Sequence, residues 1–130
     1  MSLPVFHLSL PVRDLDEAVD FYTTTLCGVL GRRETTWADI ALFGAQVTLQ
    51  LFPADVSVPM PRSRHFGATL PWDGWARLTA TLSEFIEHPR IDHSGTEFEQ
   101  AKAMIKDPSG NLIELKAYRN PRAVLGDLAL

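Results

Sequence analysis

One order of elements occurs twice along this chain, and that repeat limits the folds open to it more than any other feature. Val5 to Val12 is a short apolar run rich in β-formers. Asp14 then stands as a helix cap with Glu17 three residues on. Leu15, Ala18, Val19, Tyr22 and Leu26 recur at helical spacing, and Gly28 sits where that helix should end. Three strand-like stretches follow at about 29–34, 36–43 and 46–52, with Phe43-Gly44-Ala45 turning between the last two. Pro53, Pro59 and Pro61 mark a linker over 54–63. The order then starts again. Arg64 to Leu70 is strand-like, and Asp73-Gly74 opens a helix whose apolar stripe is Trp75, Leu78, Leu82 and Phe85, ended by Pro89. About 90–100 is polar, read as irregular or a short strand. Strands at 101–106 and 111–117 are joined by Asp107-Pro108-Ser109-Gly110-Asn111, a strong turn signal. Placing His7 on His65 superimposes the copies at an offset of 58 residues. The expectation is an α+β fold of two βαβββ modules, 4–53 and 64–118, in one domain of 130 residues with a tail at 119–130.

Side chains on a strand alternate between faces. His7 and Ser9 oppose Phe6, Leu8 and Leu10; Gln46, Thr48 and Gln50 oppose Val47, Leu49 and Leu51. In the second copy His65, Gly67 and Thr69 oppose Phe66, Ala68 and Leu70, while Glu114 and Lys116 oppose Ile113, Leu115 and Ala117. Each strand therefore has an apolar face for its helix and a face bearing His, Glu, Gln or Thr. A curved sheet would bring those groups to one cavity. Two neutral imidazoles and a carboxylate suffice to hold a divalent metal and leave positions open for other ligands. Either histidine alone reads as an ordinary sheet residue, and their equivalent places in a repeat change that reading.

Composition excludes other classes. A net charge of −4 argues against nucleic acid or an anionic membrane surface as a partner. No apolar run approaches the roughly 18–20 residues that span a bilayer. Cys27 is the single cysteine, so neither an intrachain disulfide nor a Cys-based zinc site can form. The start, Met1 to His7, shows no basic segment followed by an apolar one, and a cytoplasmic location is expected. His88 and His93 are expected at the surface, and Cys27 as a small packed residue.

Phe6-His7-Leu8-Ser9-Leu10-Pro11-Val12-Arg13-Asp14-Leu15-Asp16, with Ala18 and Phe21-Tyr22, resembles the opening of the vicinal oxygen chelate superfamily. Asp107-Pro108-Ser109-Gly110-Asn111-Leu112-Ile113-Glu114-Leu115 resembles its closing signature. The resemblance spans about 5–118. Glyoxalase I, fosfomycin- and bleomycin-resistance proteins and type I extradiol dioxygenases belong to that superfamily. It implies paired βαβββ modules forming a curved mixed sheet around a central cavity, helices outside, and metal ligands at His7, His65 and Glu114. It also implies a small-molecule substrate and a homodimer.

Two histidines and a glutamate look like the iron(II) triad of extradiol dioxygenases, which open an aromatic diol with dioxygen. Trp37-Ala38-Asp39, Phe43-Gly44, Gln46-Val47, His65-Phe66-Gly67 and Glu99-Gln100 resemble a group of small bacterial proteins of that kind. Fe(II) is therefore the favoured metal, with Zn, Ni or Mn as alternatives. Glyoxalase I adds a fourth ligand from the last strand of its first module. That strand offers Thr48 and Gln50 here, neither of them a glutamate. Extradiol enzymes carry a tyrosine on the strand before the glutamate, where this chain has Lys102, Met104 and Lys106; His93 or Tyr118 could take its place. Gln50, Thr48, Thr69 and Met104 are the pocket candidates. A glyoxalase-like lyase or isomerase, or a small-molecule-binding resistance protein, is the alternative. The apolar tail, Ala123-Val124-Leu125 and Leu128 to Leu130, is expected to dock on its own module or on a partner.

Overall fold

A computed structural model describes residues 3–56 and 60–129, without the side chains of 128 and 129. The chain divides into two compact units, Met1–Met60 with Asp107–Asn111, and Pro61–Lys106 with Leu112–Leu130. Each contains one four-stranded mixed sheet, and the fold is α+β with the βαβββ order in both halves.

The first sheet comprises β1 (His7–Val12), β2 (Val29–Arg33), β3 (Trp37–Leu42) and β4 (Ala45–Leu51), in the order β1-β4-β3-β2. β1 lies parallel to β4, which forces a crossover, and α1 (Leu15–Asp20) provides it. Asp14 caps α1 by accepting from the Glu17 amide at 2.8 Å, while the Glu17 carboxylate turns to Arg13 rather than back to the cap. The helix continues as a wider π turn over Phe21–Thr25. One face of the sheet presents Leu10, Val12, Ala38, Ile40, Val47 and Leu49, all buried, to Leu15, Ala18, Val19 and Tyr22.

The second sheet comprises β5 (His65–Leu70), β6 (Glu87–Asp92), β7 (Gln100–Lys106) and β8 (Leu112–Tyr118), in the order β5-β8-β7-β6. The crossover from β5 contains α2 (Trp72–Ala80). Trp75 is buried and its indole N–H donates to the Leu115 carbonyl at 2.9 Å. Small residues at Ala101, Ala103 and Ala117 leave that face open to the large ring.

The second helix is shorter than its apolar spacing predicts. It ends at Ala80, so Leu82 and Phe85 lie in the connection, and Pro89 sits inside β6 instead of closing the helix. β6 is an edge strand whose register with β7 shifts between Glu87 and Arg90, which is where a sheet tolerates a residue without an N–H. Cys27 is exposed with φ +61°, a loop residue and not a packed one. His88 and His93 are exposed, as expected. The tail forms one helical turn, α3 (Arg122–Leu125), and then a 3-10 turn over Gly126–Ala129; Val124 and Leu125 remain exposed, so these two do not dock on their own module, and the docking expected of Leu128 to Leu130 lies outside the described side chains. No helix among the described residues is long and apolar enough to cross a membrane.

Candidate functional site

The faces turned away from the helices carry the polar residues that alternation assigned to them. In the first unit, His7 stands opposite Gln46, Ser9 opposite Thr48 and Pro11 opposite Gln50 across the parallel pair. Trp37 and Asp39 stand opposite Gln50 and Thr48 on the other side of β4. With Arg32 these side chains line a cavity of ≈ 270 Å³.

Asp39 organises this cavity. It is 6% exposed, accepts from the Thr48 hydroxyl at 2.7 Å through Oδ1, and accepts from Arg32 Nε at 3.0 Å through Oδ2. Burial alone would raise its pKa. The hydrogen bonds from Thr48 and Arg32, and the charges of Arg32 and His7, outweigh that and hold the carboxyl below the usual carboxylate range. Stability from this group is therefore complete above the unfolded pKa near 4 and is lost as pH falls through the lower folded value. Asp39→Asn should unfold at lower urea than the wild type at pH 7, by about 1–2 kcal/mol, with the gap closing below about pH 4. Equilibrium unfolding at pH 7 and pH 3 reads both arms, and an undiminished gap at pH 3 counts against the charge. Thr48 thus serves Asp39, and Gln50 donates from Nε2 to the Ser9 hydroxyl at 3.0 Å.

Arg32 was not reached from the sequence. Simple alternation fails along β2, because its register with β3 shifts between Leu30 and Arg33. The irregularity sends two adjacent arginines to different partners, Arg32 to Asp39 and Arg33 to Asp16. Gly31 inside a strand pattern was the available signal for it.

In the second unit, His65, Gly67, Thr69, Glu114 and Lys116 share a cavity of ≈ 220 Å³. β5 and β8 run parallel with Gly67 opposite Glu114. The His65 ring lies 2.6 Å from the Arg62 carbonyl through Nδ1. A carbonyl only accepts, so Nδ1 carries a proton, and the tautomer that this contact selects has its lone pair on Nε2. Glu114 is about one-fifth exposed, with Lys116 Nζ at 3.7 Å. Met104 stands opposite Glu114 on β7 but is 1% exposed and lines neither cavity. Thr69 lines the cavity, and Tyr118 lies under Lys116 Nζ at 5.7 Å from the ring centre.

Of the expected ligands, His65 and Glu114 thus share one cavity and His7 lines the other. Among the described residues no three His, Cys, Asp or Glu side chains lie close enough to hold one metal ion. The donor chemistry does fit a divalent metal. An imidazole fixed through Nδ1 by a backbone carbonyl, beside a carboxylate, is the arrangement by which proteins present a histidine nitrogen to a cation.

A family model described as the Glyoxalase/Bleomycin resistance protein/Dioxygenase superfamily matches residues 5–115. A glyoxalase/bleomycin resistance protein/dioxygenase from Alicyclobacillus acidocaldarius is 32% identical with a TM-score of 0.84, over 93% of this chain and 96% of that one. A fosfomycin resistance protein of Listeria monocytogenes is 15% identical with a TM-score of 0.69, over 95% and 100% of the two chains. A lactoylglutathione lyase of Agrobacterium tumefaciens is 18% identical with a TM-score of 0.60, over 90% and 95%. At these last identities the likeness is one of fold alone. No curated protein matches the chain.

Proposed function

Because the chain belongs to the Glyoxalase/Bleomycin resistance protein/Dioxygenase superfamily, we propose that it is a metal-dependent enzyme of the vicinal oxygen chelate type, dioxygenase-like, acting on a small aromatic diol. His65 and Glu114 supply two ligands to a divalent metal. His7, from β1 of the same chain or of a second copy in a homodimer, supplies the third. Iron(II) is the favoured metal and zinc, nickel or manganese the alternatives. The observation that carries this reading is the His65 ring, fixed by the Arg62 carbonyl so that Nε2 keeps its lone pair in the cavity that holds Glu114.

A divalent metal held by these residues would supply Lewis acidity to a substrate bearing two adjacent oxygens, and redox chemistry if it were iron. In the dioxygenase reaction the carbon–carbon bond beside the diol breaks and both atoms of dioxygen enter the product. The chain's own residues orient and hold. The Arg62 carbonyl fixes the His65 ring, and Lys116 stands beside Glu114. Gln50, tethered to Ser9, presents an amide to the first cavity. The residues of β7 that share the face of Glu114 are Lys102, Met104 and Lys106, with no tyrosine among them, which favours the lyase or isomerase reading with a redox-inert metal as the alternative.

The test is the metal content of protein prepared without oxygen, beside His65→Ala. The wild type should hold stoichiometric divalent metal, and the variant should lose at least about a hundredfold in affinity. Iron sends the protein to catechols and an oxygen electrode, whereas zinc, nickel or manganese supports the lyase reading. No metal in the wild type after reconstitution overturns both and leaves a small-molecule-binding protein.

A further inference from the structure

We propose that Arg32 is the anchor for a carboxylate on the substrate, so that the compound taken by this site is an anionic one. The inference rests on the reading of the first cavity as part of a substrate site, and it stands on how the Arg32–Asp39 pair is built. Asp39 is buried, and both its oxygens are occupied within the fold, Oδ1 by Thr48 and Oδ2 by Arg32. Arg32 is the opposite case. Its Nε and one terminal nitrogen converge on the single oxygen Oδ2, at 3.0 and 2.9 Å, and its side chain is 75% exposed. The other terminal nitrogen has no hydrogen-bond partner among the described residues. Both residues belong to the cavity lining, but the anion of the pair is buried with both oxygens occupied, while the cation is largely exposed.

One further contact holds the guanidinium in place. Its central carbon lies 5.1 Å from the centre of the Trp37 ring, and Arg32, within the irregular stretch of β2, lines the cavity. A guanidinium held along one edge and over one face keeps little rotamer freedom to lose on binding. Its outer nitrogens offer donors suited to a planar carboxylate. Gln46 and Gln50 add amide groups to the same cavity.

The experiment uses benzoate as the probe and benzyl alcohol as its neutral counterpart, titrated by NMR into the full-length, chelator-treated protein. Wild type, Arg32→Gln and Arg32→Lys are compared. Benzoate should bind the wild type more tightly than benzyl alcohol and shift the Trp37 indole and Thr48 amide signals. Arg32→Gln should weaken benzoate by about tenfold or more and leave benzyl alcohol unchanged. Arg32→Lys keeps the charge without the planar fork and should recover only part of the preference. Equal binding of the two probes by the wild type, or undiminished benzoate binding by Arg32→Gln, overturns the proposal. The metal reading fails separately. Arg32→Gln should retain the wild-type metal content, and His65→Ala should keep the benzoate preference while losing metal.

Discussion

Gly67→Ala should be among the most damaging single-methyl changes available in this protein. β5 and β8 are parallel neighbours, and Gly67 faces Glu114 across them. A Cβ at residue 67 would fall on the Glu114 carbonyl oxygen, well inside contact distance, and within 2.7 and 2.9 Å of the Glu114 carbonyl carbon and nitrogen. All three atoms are backbone, so no rotamer change relieves the clash, and the two strands must separate. Overpacking of this kind costs about 3 kcal/mol or more, a fall in Tm of about 10 °C for a chain of this size. The same separation disturbs the pair of strands that carry His65 and Glu114. Gly74→Ala is the matched control. Its Cβ would have Pro71 Cδ as nearest neighbour at 3.9 Å within α2, and removing a helical glycine should be neutral or stabilising by up to about 1 kcal/mol. Thermal unfolding of the two variants decides the matter, and a Gly67→Ala protein melting with the wild type would refute the close approach.

That glycine shows where single-strand reasoning stops. Alternation along one strand placed His7, His65, Glu114, Thr48 and Gln50 on the correct faces, because period-two patterning is a local property and the strands are regular where those residues lie. The Asp14 cap and the Asp107–Asn111 turn were legible for the same reason. Features that depend on two strands at once were not. The close approach at Gly67 is set by β8, and the course of Arg32 by the irregular register of β2 against β3. Asp39 on β3 takes its two partners from the strands on either side, Arg32 of β2 and Thr48 of β4. Helical spacing misled beyond Ala80, because Leu82 and Phe85 continue the stripe although the chain turns away at Thr81. Pro89, read as a helix stop, marks an edge strand instead, a role that only the sheet order reveals.

The second large effect belongs to Asp107, the first residue of the turn signature. It is 1% exposed and accepts four hydrogen bonds. Oδ1 takes the Ser109 amide at 2.9 Å and the Asn111 amide at 2.8 Å, and Oδ2 takes the Asn111 side-chain amide at 2.8 Å and the Tyr22 hydroxyl at 2.7 Å. The turn is also tied to the end of β1. Asn111 donates to the Pro11 carbonyl at 3.0 Å, and the Arg13 amide donates to the Ser109 hydroxyl at 2.9 Å. Asp107→Ala leaves four donors without an acceptor, three of them from the turn itself, and should cost about 4 kcal/mol. Tyr22→Phe removes one of the four and should cost about 1–3 kcal/mol. Its signature is a pH dependence. Burial, and then the charge and hydrogen bond of Asp107, raise the Tyr22 phenol well above its ordinary pKa. In the unfolded chain the phenol loses its proton near pH 10, whereas folded Tyr22 keeps it. The contribution of this proton is therefore complete below about pH 10 and declines as pH rises from there toward the folded value. The stability gap between wild type and Tyr22→Phe should be constant from pH 6 to 9 and shrink above about pH 10. Urea unfolding across that range reads it directly, and two curves that stay parallel to pH 11 would mean that Tyr22 does not hold its proton against Asp107.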